Sequence, residues 1–160
     1  MRKNLLIGCI MALLGTPVLA QGQNAVVKLG MDRGGLVLGG EYALEESANE
    51  SVLGYASMHS KSDKDGAPGL TSLGAAVRIS HSFGPYEVFL SPGGGLINYD
   101  SASAGVDSGM LLGPRLSYGL YGELDRNIHL GFENLKLYSW FGEVEGLVSD
   151  TFLLNGKFEF

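Results

Sequence analysis

The sequence predicts an all-β protein, namely an eight-stranded antiparallel up-and-down transmembrane β-barrel that follows an N-terminal signal peptide. Three observations support this prediction. The first twenty residues have the charge and hydropathy pattern of a secretory signal, eight later segments alternate between apolar and polar residues, and the chain stops on an alternating segment with a terminal Phe160. A strand with one face in lipid and the other in a polar lumen requires such an alternation.

Residues 1–20 are predicted to be a cleaved signal peptide. Arg2 and Lys3 supply positive charge, an apolar run follows, and small residues up to Ala20 form a cleavage site. The apolar run is shorter than the roughly 20 residues of a spanning helix. Cleavage after Ala20 would leave a single barrel domain of residues 21–160 and would remove Cys9, the only cysteine, so we expect no disulfide.

Eight segments carry the alternation that defines a strand with two different faces. They are residues 25–31, 35–44, 51–61, 71–83, 86–99, 108–124, 127–140 and 150–160. Most reach the roughly 9 to 11 residues that cross a bilayer when tilted, whereas the first is short. An even number of strands is expected when both ends of a closed antiparallel barrel lie on the same side.

Side-chain direction supports the individual segments. In the second segment, Leu36, Leu38 and Tyr42 lie opposite Val37, Gly39 and Glu41. In the fourth, Leu73, Ala75, Val77 and Ile79 lie opposite Ser72, Gly74, Ala76, Arg78 and Ser80. In the sixth, Leu112, Pro114, Leu116, Tyr118 and Leu120 lie opposite Gly113, Arg115, Ser117, Gly119 and Tyr121. We therefore expect charges to avoid the apolar face throughout.

The last two segments complete the predicted barrel. In the seventh, Leu135 and Leu137 fall on the face opposite to Ile128, Leu130 and Phe132, so a β-bulge near Glu133 and Asn134 is expected to restore the phase. In the eighth, Phe152, Leu154, Phe158 and Phe160 share one face, with Asn155, Lys157 and Glu159 on the other.

Connections between the segments fit an outer-membrane barrel, in which inner turns are short and outward loops are longer. Residues 84–85 and 125–126 are predicted inner turns, and residues 62–69, 100–107 and 141–149 are predicted outward loops. Two connections depart from this rule, since 32–34 is a short outward turn and 45–50 a long inner one. Aromatic girdles are expected at both rims: Tyr42, Phe83, Tyr86, Phe158 and Phe160 at the inner rim, and Tyr99, Tyr138, Trp140 and Phe141 at the outer rim.

Transferred to a barrel, the alternation predicts a charge network in the lumen. Charges removed from bulk water need partners of opposite sign and hydrogen bonds. The predicted lumen residues are three acids among four bases: Lys28, Glu41, Arg78, Glu87, Arg115, Glu133 and Lys157.

The overall charge excludes one class of function. The chain has 11 Lys and Arg against 17 Asp and Glu, a net charge of −6, and loss of Arg2 and Lys3 with the signal would give −8. Nucleic-acid binding normally needs a basic patch, so we expect none.

These features resemble the small eight-stranded outer-membrane proteins, the group of the OmpA membrane domain and the OmpX and Ail proteins. The stretches 58–63 and 69–74 are also loosely similar to the YfaZ-type family. The resemblance implies location in the outer membrane of a Gram-negative bacterium, contact with outer-membrane lipid and lipopolysaccharide, insertion by the barrel-assembly machinery, and a monomer. The C-terminal assembly signal would be Leu154, Phe158 and Phe160, with Asn155 where that group usually has glycine.

The function predicted first is a structural or surface-interaction barrel with no open pore, because side chains fill the interior of an eight-stranded barrel. A secreted soluble β-barrel that binds a small hydrophobic ligand is the alternative, since alternation alone does not distinguish lipid from core. A lipid A modifying hydrolase is the second alternative, with Ser57, His59 and Asp63 or Asp65 as its candidate group. We expect no catalytic residue, no cofactor and no metal site, since three histidines without paired spacing make no zinc site.

Overall fold

The architecture is that of a single β-sheet with eight strands. A computed structural model describes residues 24–32, 35–62, 68–101, 108–142 and 144–160, and structural statements here refer to these residues. The strands are β1 (Asn24–Asp32), β2 (Gly35–Glu46), β3 (Glu50–His59), β4 (Gly69–Phe83), β5 (Tyr86–Asp100), β6 (Gly109–Asp125), β7 (Ile128–Ser139) and β8 (Gly146–Glu159). The predicted signal peptide and its cleavage site lie outside the described residues. No helix within these ranges is long and apolar enough to cross a membrane.

The sheet closes into a barrel, as predicted. Each strand pairs with its neighbours in chain order, and β1 pairs antiparallel with β8 from Asn24 opposite Glu159 to Met31 opposite Phe152. Closure leaves no sheet edge, so the backbone groups of every strand have partners within the barrel. We call the end at which Asn24 meets Glu159 the terminal rim, and the opposite end the loop end.

Connections at the terminal rim are shorter than three of the four at the loop end, the exception being residues 33–34 between β1 and β2. The rim turns are residues 47–49, 84–85 and 126–127, whereas residues 60–68, 101–108 and 140–145 connect strands at the loop end. Gly84 has a φ of 63°, a left-handed conformation that glycine adopts without strain. The predicted long inner connection 45–50 is therefore a short turn. The predicted loop 141–149 is also shorter, because β8 begins at Gly146 instead of residue 150.

The bulge predicted near Glu133 and Asn134 is wrong. Both residues lie in a regular ladder, with Glu133 opposite Gly119 and Asn134 opposite Tyr118. Register shifts occur instead between Ala43 and Glu45, between Glu123 and Asp125, and between Leu137 and Tyr138. Because the phase of β7 is never reset at its middle, Leu135 and Leu137 point into the barrel with Glu133.

The predicted alternation between an apolar outside and a polar inside is confirmed for the second, fourth and sixth strands. In β4, for example, Leu73 is 63% exposed, whereas Arg78 is 3% exposed. Every strand contributes large apolar side chains to the outer surface, and together they form an apolar belt: Leu29, Leu36, Val52, Leu73, Leu90, Leu112, Phe132 and Phe152, one from each strand in order.

Aromatic side chains lie at both ends of the belt. At the terminal rim, the Phe83 and Tyr86 rings are exposed, with 6.1 Å between their centroids. At the loop end, Trp140 and Phe141 are exposed. Tyr99 is a correction, because it packs against the buried core of the barrel instead of forming part of an outer girdle.

Glycine allows three strands to approach each other around the Tyr55 hydroxyl. A Cβ atom on Gly95 would lie 2.7 Å from the Tyr55 Oη atom and 2.7 Å from the Cα atom of Gly74, and it would also collide with the Leu73 carbonyl oxygen. Gly94, on the outward face of the same strand, has no atom closer than the Gly113 carbonyl oxygen at 3.3 Å.

We expect Gly95→Ala to lower the free energy of unfolding by about 1 to 3 kcal/mol, the usual cost of overpacking a filled interior. Urea unfolding in detergent micelles, followed by the fluorescence of the single tryptophan, measures this loss. Gly94→Ala is the matched control and should change the free energy by less than about 0.5 kcal/mol. Equal losses for both variants would contradict a close approach on the inner face.

Candidate functional site

Five charged side chains meet in the middle of the barrel, and we call them the ion network. Its members are Lys28, Glu41, Arg78, Arg115 and Glu133, all of which are 5% exposed or less. Glu41 accepts hydrogen bonds from Lys28 at 2.6 Å, from Arg78 at 2.5 Å and from Arg115. Three cations thus surround two carboxylates, and each carboxylate bridges at least two of them.

Glu133 provides the second bridge of the ion network. Its Oε1 atom accepts from Lys28 at 2.5 Å and lies 3.8 Å from Arg115, and its Oε2 atom accepts from Asn155 at 2.9 Å. Glu41 and Glu133 therefore connect β1, β2, β4, β6, β7 and β8 across the lumen. Buried charges require this degree of pairing, because an unpaired ion in the interior is strongly destabilising.

Aromatic rings cover the two guanidinium groups of the ion network. The Cζ atom of Arg78 lies 4.4 Å from the centroid of the Phe89 ring, which stacks on Tyr121 at 5.0 Å. The Cζ atom of Arg115 lies 4.4 Å from the centroid of the Tyr55 ring. Arginine suits this arrangement because its planar, weakly hydrated cation stacks on aromatic faces.

Two of the predicted lumen residues lie apart from the ion network. Lys157 and Glu87 pair at 2.7 Å near the terminal rim, where Lys157 also lies 3.1 Å from Glu159. They line a polar cavity of about 200 Å³ that also includes Arg78 and Glu46. The seven residues therefore divide into a central group of five and a pair at the rim.

The half of the interior nearer the loop end contains a large apolar cluster beside a small polar group, which corrects the expectation of ionised groups throughout the lumen. Its buried residues form one contiguous cluster, which we call the apolar plug: Val37, Leu70, Ile97, Leu111, Leu135, Leu137, Val148 and Leu153. Water has no polar partners along such a surface, so the plug blocks the lumen between the ion network and the loop end.

A small polar group lies inside the barrel at the loop end. Ser149 Oγ donates to Asp32 Oδ2 at 2.6 Å, and His59 Nδ1 lies 3.5 Å from the same carboxylate oxygen. Ser57, the predicted partner of His59, instead bonds to Ser72 at 2.7 Å. Asp63 and Asp65 lie outside the described residues.

The lipid A hydrolase hypothesis gains no support from this geometry. A lipid substrate approaches a barrel from its apolar belt or its rim, whereas Ser57 and His59 are 9% and 3% exposed and point inward. Within the described ranges, no group of three or more His, Cys, Asp or Glu residues has the arrangement of a metal site.

Two charges contradict the expectation that the apolar face carries none. Lys136 and Asp150 face outward on β7 and β8 and form an ion pair, and Asn134 donates to Asp150 at 2.8 Å. Sequence reasoning missed them because Asp150 was placed at the start of a strand and Lys136 in a segment thought to change phase. Lys136 and Asp150 lie an even number of positions from Phe132 and Phe152, respectively, which face outward. This spacing was the signal in the sequence that both charges face outward as well.

Comparisons with known proteins identify the fold. The chain is similar to the N-terminal β-barrel domain of OprF from Pseudomonas aeruginosa, with a TM-score of 0.65 and 15% identity over 88% of this chain and 98% of that one. It is also similar to Neisserial surface protein A, with a TM-score of 0.59 and 12% identity over 87% and 95%. The outer membrane enzyme PagL matches with a TM-score of 0.54 and 10% identity over 86% and 99%.

No family model and no curated protein sequence matches the chain. The structural similarity therefore establishes the fold, which is that of the small eight-stranded outer-membrane barrels. Most of these structural neighbours are not described as enzymes, although PagL is.

We expect Glu41→Gln to lower the free energy of unfolding by about 3 to 5 kcal/mol, because three buried cations would then share the single carboxylate of Glu133. The measurement is urea unfolding in micelles. Glu45→Gln, on the exposed end of the same strand, is the control and should change the value by less than about 0.5 kcal/mol. A loss below about 1 kcal/mol for Glu41→Gln would show that the ion network does not stabilise the barrel.

Proposed function

We propose that the chain is a small integral outer-membrane β-barrel with a structural or surface-interaction role and no open pore. The observation that carries the proposal is the inversion of the two faces: large apolar side chains are exposed on all eight strands, while the ion network lies inside. A protein surrounded by water would expose the charges and bury the apolar groups, whereas a barrel in lipid needs the reverse.

The packing of the interior argues against the alternative function, a secreted soluble barrel that binds a hydrophobic ligand. A ligand of this kind needs an apolar cavity that is largely preformed. In this barrel the apolar plug and the ion network fill the lumen with side chains, and the cavity at the terminal rim is lined by polar groups such as Glu46, Glu87 and Lys157.

The proposed location is the outer membrane of a Gram-negative bacterium, with the terminal rim of the barrel on the periplasmic side and the loop end on the outer side. The predicted signal peptide supports export, and the fold supports the destination. Leu154, Phe158 and Phe160 are proposed as the assembly signal read by the barrel-assembly machinery. Leu154 on β8 is 68% exposed, and Phe160, which follows the end of β8, is 48% exposed, so both side chains are accessible from outside the barrel.

We propose that this barrel acts without catalysis, as a monomer in contact with outer-membrane lipid and lipopolysaccharide. The reason is the position of the Ser and His side chains considered for hydrolysis, since Ser57 and His59, together with the neighbouring Ser149, face inward and away from the lipid. The interaction role is assigned to the loop end, where the longer connections lie.

In a Gram-negative expression host, we expect the processed chain to sediment with outer membranes and to migrate faster on gels when unboiled than when boiled. A closed sheet without edges resists detergent at room temperature, so the unboiled barrel stays compact. Quantitative fractionation with a periplasmic marker as control measures the distribution. Recovery in the periplasmic extract without detergent would refute the membrane proposal and support the soluble barrel.

Planar bilayers that contain the refolded wild-type barrel should show no steady ion conductance. The apolar plug excludes water from the loop half of the lumen, and the ion network fills the middle. The measurement is single-channel recording, with protein incorporation verified by the gel shift described above. A reproducible open conductance would contradict the absence of a pore.

A further inference from the structure

Three polar side chains interrupt the apolar belt near the loop end, and we call them the polar rung. They are Asn134 and Lys136 on β7 and Asp150 on β8. Lys136 and Asp150 are direct partners across the two strands, their side chains form an ion pair, and Asn134 donates to the other carboxylate oxygen at 2.8 Å. Charges on the lipid face of a barrel are destabilising in proportion to their depth, so their presence calls for a ligand that benefits from them.

An apolar groove of about 420 Å³ lies directly beside the polar rung on the outer surface. It runs across β7, β8, β1 and β2 and is lined by carbon-rich side chains: Leu29, Met31, Leu36, Phe132, Phe152 and Leu154. Phe152 is the cross-strand partner of Asn134, and Asp150 is the next outward residue along β8. Two residues of strand span about 6.6 Å, so the groove reaches the level of Asn134 and ends one step below Lys136 and Asp150.

The polar rung retains unused hydrogen-bonding capacity. The Lys136 ammonium has three N–H donors, and Asp150 takes one of them. Asn134 is 5% exposed and its Oδ1 atom is buried, so Asn134 orients the Asp150 carboxylate and does not itself face a ligand. Tyr118 lies opposite Asn134 across β6 and β7, and Tyr138 follows Lys136 on the same face. The rung therefore offers the remaining N–H donors of a cation, with two phenols beside it.

We propose that the groove and the polar rung bind one outer-leaflet glycolipid with an acylated, phosphorylated amino-sugar headgroup, that is, a lipid of the lipid A class. One acyl chain occupies the groove, a phosphate accepts from Lys136, and hydroxyl groups of the sugar exchange hydrogen bonds with the phenols of Tyr118 and Tyr138. This inference rests on the proposed function, which places the loop end in the outer leaflet, and it assigns the site at which that function contacts lipopolysaccharide.

Two other occupants fit the polar rung less well. A glycerophospholipid supplies the phosphate and an acyl chain but not the sugar hydroxyl groups that the phenols would match. A second copy of the barrel would bring another apolar belt against Lys136 and Asp150. That belt carries apolar side chains, so it would supply no acceptor for the remaining N–H donors of Lys136.

The test is native mass spectrometry of the refolded full-length mature barrel in detergent, with lipid A and phosphatidylglycerol added at equal concentration. Wild type should retain lipid A at least fivefold more than phosphatidylglycerol. Lys136→Met should reduce lipid A retention about tenfold, the size of one charge-assisted hydrogen bond, and Lys136→Arg should restore it. Leu154→Trp fills the groove and should also reduce retention, whereas Leu73→Trp, similarly exposed on β4, should not.

The gel shift on heating is measured for each variant first, so that folding and lipid binding are read separately. A folded wild type that retains both lipids equally, or a folded Lys136→Met that retains lipid A as wild type does, overturns the site and leaves the membrane proposal intact. Appearance of a lipid-free dimer that Leu154→Trp disrupts assigns the groove to a second copy and also overturns it. A wild type that stays monomeric without detergent overturns both proposals.

Discussion

The structure depends on the pairing of three cations with two carboxylates at the centre of the lumen. In the proposed membrane form, lipid surrounds the apolar belt. Contact with hydrocarbon therefore does not select one strand register, because the same side chains would contact lipid in other arrangements as well. The interior has no such freedom. Glu41 must lie where it reaches Lys28, Arg78 and Arg115 together, and that requirement fixes β2 against β1, β4 and β6. A shift of any strand by one residue would place its charge outside the barrel.

The interior is organised in layers, and each layer depends on the one beside it. Phe89, Tyr121 and Val26 lie on the terminal side of the ion network, where Phe89 covers Arg78. The apolar plug lies on the loop side. Both layers exclude water, which strengthens the ion pairs while increasing the cost of any unpaired charge. A lumen of this kind is a solid core with a charged centre, and its role is to hold the barrel in one register.

Much of the fold could be predicted from the sequence, because a strand with two different faces alternates between apolar and polar residues. This alternation can be recognised in each strand separately. Arg78 and Arg115 share the inner face with Ser72 and Ser117, and this parity is visible without any knowledge of neighbours. What failed was the assumption that an inner face must be polar. Leu135 and Leu137 share the parity of Glu133, and only the packing of eight strands shows that they complete an apolar plug.

The contacts of the loop end were beyond prediction for a different reason. Ser149 meets Asp32 across 117 residues of sequence, and His59 meets Ser149 across 90. Such pairs follow from barrel closure between β1 and β8 and from the register shift after Leu137. Neither has a local signature. The sequence therefore indicated Ser57 and His59 as a pair, whereas in the barrel Ser57 bonds to Ser72 on the neighbouring strand and His59 lies beside Asp32 and Ser149.

The ion network and the Lys136–Asp150 pair lie in different surroundings. Inside the barrel, each ion of the central network is enclosed by protein, and its partners are fixed by the register of the sheet. Lys136 and Asp150 have protein on one side only, with exposed Phe132 and Phe152 beside them. A pair needed for stability alone could be replaced by apolar residues at such a position without leaving any buried charge. Its retention next to an apolar groove is best explained by contact with something outside the barrel. The proposed interaction surface therefore extends from the loops down onto the lipid-facing wall.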